Sequence, residues 1–80
     1  MKPIAVLVPF DSIPIGFNHI LRNQNVCEYS THRRELFTEH EWYIVVDRPE
    51  QLLAFEIKDY IVVGPQVPTE LIQMAKERKR

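Results

Sequence analysis

The sequence predicts an α/β domain: a small, mainly parallel sheet of three to four strands, with helices on its faces and the first strand central. Three observations predict it. Short unbroken apolar runs occur at "IAVLV" (4–8), "YIVV" (43–46) and "YIVV" (60–63), and runs that are apolar at successive positions suit strands covered on both faces, as in parallel sheets. Helix start signals follow the second and third runs. The connection at 48–59 has about the dozen residues that a parallel crossover requires. Together these describe a miniature doubly wound arrangement, a flavodoxin-like half with right-handed crossovers.

The elements follow in order. "IAVLV" is the one run without a tyrosine hydroxyl to satisfy, which places it in the middle of the sheet. Phe17, Ile20 and Leu21 share one helical face and predict a short helix over 16–23, opened by Gly16 and ended by "NQN". "VCEYS" (26–30) reads as an edge strand with Cys27 and Tyr29 inward. "RRELFTEHE" fits a helix or the return arm of a hairpin, because the adjacent Leu36 and Phe37 match neither period. After the second run, Asp47 as cap, Pro49 in the first turn and Glu50 reaching back predict a helix with Leu52, Leu53 and Ile57 as its stripe. The second "YIVV" meets the burial requirement of the first and marks no duplication. Gly64 and Pro65 then break the strand, and Pro68 opens a last helix with Val67, Leu71, Met74 and Ala75 on one face. The basic end from 76 to 80, "KERKR", is expected to fray or project.

Composition narrows the class. Eighty residues, 45% apolar and 26% charged, make one globular domain near the lower size limit for unaided folding. Cys27 is the only cysteine, so no internal disulfide can form, and a reduced, cytoplasmic protein is expected. The longest aliphatic run lies between Pro3 and Pro9, far short of the roughly 20 residues a spanning helix needs, and no signal peptide is recognisable. A net charge of −1 offers no cationic excess for a polyanion, although "HRR" at 32–34 and "KERKR" form two basic clusters.

Signatures of chemistry are few. With Gly16 and Gly64 the only glycines, neither a Walker loop nor a dinucleotide fingerprint can be written. His19, His32 and His40, among Glu35, Glu39 and Glu41, match no zinc spacing. Cys27 reads as a buried structural thiol rather than a nucleophile paired with His32. No catalytic residue, metal or cofactor is expected. In open α/β sheets ligands sit beyond the carboxyl ends of the strands. Those ends would present Asp11 and Ser12, Asp47 and Arg48, and Gln66 and Thr69, which equally serve as caps and turn residues.

"YIVVDRPEQLLAF" with "DYIVVGPQVPTELIQMAKE" resembles the sheet and helix elements of the B subunits of the lactose and cellobiose type sugar phosphotransferase system, in which a strand ending in Gly-Pro-Gln precedes a helix. Here Gly64, Pro65 and Gln66 carry the likeness. The resemblance implies the architecture and not the activity. In that family the phosphate carrier is a cysteine just after the first strand, where this chain has "VPFDS", and the family's last strand has no counterpart here.

The leading functional expectation is a small regulatory or inhibitory protein, of the sort accessory or viral genes encode, that binds another protein or itself as a dimer. Its expected surface comprises Arg33, Arg34, Phe37, Trp42 and Tyr43. The alternative is a module binding a small anionic or nucleotide-like molecule at the strand-end residues. A weaker one is nucleic-acid binding through Arg33, Arg34 and the basic tail.

Overall fold

A computed structural model describes all 80 residues. Strands β1 (Ile4–Leu7), β2 (Val26–Ser30), β3 (Glu35–Thr38), β4 (Trp42–Val46) and β5 (Asp59–Val62) form one sheet in the order β2-β3-β4-β1-β5. Helix α1 spans Ile13–Asn23, helix α2 Thr69–Arg78, and a 3-10 turn Pro49–Leu52. β1 runs parallel to β4 and β5, whereas β3 is antiparallel to both β2 and β4.

This corrects the expected fold class. The sheet has five strands and is mixed, not a mainly parallel, flavodoxin-like half, and its middle strand is β4 rather than β1. The cause is the segment 24–41. Residues 31–34 and 39–41 are connections too short for anything but antiparallel neighbours. Thr38 Oγ1 closes the second by accepting the N–H groups of His40 and Glu41 at 3.3 and 3.0 Å. Leu36 and Phe37, adjacent in sequence, point to opposite faces as a strand requires. On β2 the expectation of an inward Cys27 is also overturned, for it is exposed, whereas Tyr29 does face α1, its ring edge-on to Phe17 at 6.1 Å, although it stays largely open to solvent.

Two cores lie on the two faces. Against one, α1 buries Phe17 and Ile20 with Val6, Val8, Leu36, Tyr43 and Val45. Gly16 permits the approach, since a Cβ there would come within 2.5 Å of Val45 Cγ1. On the other, Leu71 and Ala75 of α2 join Leu52 and Ile57 over Ala5, Leu7, Ile44 and Val46. Each fully buried Leu or Ile contributes about 1.5–3 kcal/mol. Gly64, at φ +99, turns the chain from β5 toward α2.

Between β4 and β5 the expected helix shrinks to a 3-10 turn, because only Leu52 and Ile57 are buried and Leu53 is exposed. Gln51, not Glu50, reaches back: its Oε1 accepts the N–H groups of Asp47 and Arg48 at 2.9 and 3.3 Å. The basic end is folded in. Arg78 donates to the carbonyls of Phe55 and Leu53 at 2.8 and 3.0 Å, and Arg80 N–H to that of Ile57 at 3.0 Å. Lys79 pairs with Asp59 and Arg80 with Glu56 at 3.3 and 3.9 Å.

Candidate functional site

The strand-end residues lie at and beyond the carboxyl ends of β1, β4 and β5. Asp47 is 6% exposed, and its Oδ2 accepts the N–H of Asp11 at 2.9 Å, fastening the β1–α1 turn, where Asp11 sits at φ 63, to the end of β4. Ser12 precedes α1, and its hydroxyl donates to Phe10 O at 3.4 Å rather than capping the helix. The Arg48 guanidinium lies 4.7 Å from the centre of the exposed Phe10 ring, a cation–π contact. Gln66 is exposed after Gly64, and Thr69 opens α2 beside an outer depression shared with Glu70 and Gln73. Asp11, Ser12, Asp47, Arg48 and Gln66 line no cavity.

The expected interaction residues divide. Tyr43 is 5% exposed and belongs to the α1-side core, so it offers no contact area. Burial, with the Glu41 carboxylate adding to it and Lys58 opposing, raises its hydroxyl above the ordinary tyrosine range. Phe37 and Trp42 occupy the opposite face, ring planes stacked at 11° with centroids 6.1 Å apart. Phe55 extends the row, meeting Trp42 edge-on at 5.9 Å. That third aromatic escaped the sequence reading because it belongs to no periodic pattern. Trp42 Nε1 is shielded from solvent and donates to nothing in the chain.

Arg33 and Arg34 adjoin this row. With Phe55 and Gln51 they line a cleft of about 80 Å³ against Val45 and Val46. Neither has a carboxylate within ion-pair distance. Arg34 also occupies the left-handed region at φ 56, a conformation that costs a non-glycine residue roughly 1–2 kcal/mol. α2 lies over β1, β5 and the 3-10 turn, leaving Glu28, Glu35 and Phe37 of the antiparallel arm to flank the aromatic row. Phe37, Trp42 and Phe55 are half-buried, the last two against the α2-side core, so the rings show only part of their area beside the two uncompensated guanidiniums and the acidic margin.

No three His, Cys, Asp or Glu side chains come together as a metal site. Cys27 stands exposed on β2, three strands from β1. No helix is long and apolar enough to cross a membrane. Comparisons with protein families, curated proteins and solved structures find no match to this chain.

Proposed function

We propose that this protein is a small regulatory or inhibitory protein of the cytosol that acts by binding another protein through the face formed by Arg33, Arg34, Phe37, Trp42 and Phe55. The observation that carries the reading is the continuity of the aromatic row with two arginines that no acid neutralises. Aromatic residues and arginine dominate the energetics of protein interfaces. The strain at Arg34 points the same way, since backbone strain is kept where it serves a function.

A protein partner is favoured over nucleic acid on two grounds. Glu28 and Glu35 share the aromatic face and repel phosphates, and the basic tail is occupied by intrachain bonds at the other end of the sheet. Five of the strand-end residues, Asp11, Ser12, Asp47, Arg48 and Gln66, line none of the surface depressions, which favours the protein-binding reading over a small-molecule one.

The test compares captured proteins, by quantitative mass spectrometry, for the wild type and for R33A/R34A and F37A. Each variant must first show a cooperative melt near that of the wild type. A partner enriched by the wild type and lost from both variants is expected. Equal enrichment by all three proteins, or none by the wild type, overturns the proposal. Light scattering at high concentration identifies the partner as a second copy if the wild type is a dimer and the variants are monomers.

A further inference from the structure

The sheet has two open edges, built differently. On β2 the ladder slips between Val26 and Glu28, an irregularity of the kind that turns an edge away from new partners. β5 pairs with β1 in unbroken parallel register, and the chain end covers the outer edge only before the strand begins, where Lys79 makes an isolated parallel bridge to Ile57. Val63 donates inward to Leu7 O at 2.9 Å, so by alternation the N–H and C=O of Tyr60 and Val62 face outward. The Tyr60 N–H is taken by Asp59 Oδ1 at 2.8 Å, whereas Val62 is 44% exposed and its amide is free to pair.

Beside this edge runs a groove of about 370 Å³ between α1 and the sheet, lined by Ile15, Asn18, His19, Arg22, Asn23 and Val63. Its walls carry a cation, an imidazole, two amides and two apolar side chains, and no carboxylate. Arg22 has no acidic side chain within ion-pair distance. Asp59, the one acid on β5, is paired with Lys79 at 3.3 Å. The charge of the groove is therefore open to an acidic partner, and its backbone edge to an extended one.

We propose that β5 accepts an extended segment of a partner protein as a sixth strand, with an acidic side chain entering the α1 groove toward Arg22 and a neighbouring apolar one packing on Ile15 and Val63. Because alternate side chains of a strand share a face, the acidic and apolar residues stand two positions apart. This surface lies at the opposite edge of the sheet from the antiparallel arm, so its fate is independent of the aromatic face.

The probe is the capped peptide Ac-Val-Thr-Glu-Thr-Val-Thr-NH2, titrated into isotopically labelled protein and followed by amide chemical shifts. Saturable shifts are expected at 60–64 and along α1 from 15 to 23, with slower hydrogen exchange at the Val62 amide. Replacing the peptide's glutamate by lysine, or Arg22→Glu in the protein, weakens binding roughly fivefold or more, as expected for turning an exposed attraction into a repulsion. Val62→Pro removes the outward donor without touching the inward ladder and abolishes binding. If that variant fails to fold, the exchange of the Val62 amide in the wild type reports the same bond. No saturable shift at β5, shifts centred on β2 or on the aromatic row, or equal affinity for the lysine peptide overturns the proposal.

Discussion

The three strands β4, β1 and β5 and the two-stranded arm β2–β3 meet burial in different ways. In the first region residues 5–8 and 43–47 are all buried, with helices on both faces. In the arm, no residue of β2 is buried and only Leu36 of β3 is. The parallel region holds most of the apolar surface that drives folding. The arm is anchored to it by Leu36 and by the β3–β4 ladder, and its other side chains remain available for contacts that the fold does not need. That division is why the candidate interface falls on the arm and its junction with β4, and not on the rim where an open α/β sheet would place it.

The largest effect is expected from Leu7→Ala, which empties a site that is 0% exposed at a cost of about 2–5 kcal/mol, comparable with the whole stability of a small domain. Urea unfolding should show it, with the arm melting in the same transition. Arm amides that kept their exchange protection would show instead that β2–β3 folds by itself.

Arg34→Gly should act in the opposite sense. Relieving the positive φ raises stability by about 1 kcal/mol while weakening partner capture, a trade expected where strain serves function. A gain in the melting temperature with capture unchanged would reduce the arginine to an accident of the turn.

The smallest effect concerns pH. Tyr43 holds its proton more tightly folded than unfolded, so its contribution is fully present below the ordinary tyrosine pKa and is lost as pH rises through the folded one. Tyr43→Phe should leave the melting temperature unchanged near neutrality and lessen its fall above about pH 10. Asp59 works at the other end. Its carboxylate is held below the ordinary range by the Tyr60 N–H and then by Lys79, so its contribution is lost as pH falls below the usual aspartate range, and Asp59→Asn should flatten that limb.

The apolar runs of β1, β4 and β5 were legible because each is continuous and bounded by Pro, Gly or charge, and Leu71 with Ala75 marked the inner face of α2. The arm was not, for reasons that are physical. Leu36 and Phe37 serve opposite faces, and the turn 31–34 contains no glycine or asparagine, so Arg34 takes the left-handed conformation without the residue types that announce it. At the candidate site, Arg33, Arg34, Phe37 and Trp42 could be named from the sequence, but Tyr43 was assigned to the surface although it opens a run that suits a strand covered on both faces, and it is buried. Asp47 looked like a helix cap; its partner, the Asp11 amide, is 36 positions away, and no local pattern encodes that distance.

The return of the chain end to Ile57 has a practical side. Lys2 Nζ reaches Arg80 O at 3.4 Å, so both extremities leave the molecule side by side, at the amino ends of β1 and β5 and away from the Arg33–Arg34 turn. A tag or surface tether at either one would hold the molecule by its heel. A short spliced linker between the two would make the backbone a ring that could be reopened at an exposed bend without disturbing the strand order.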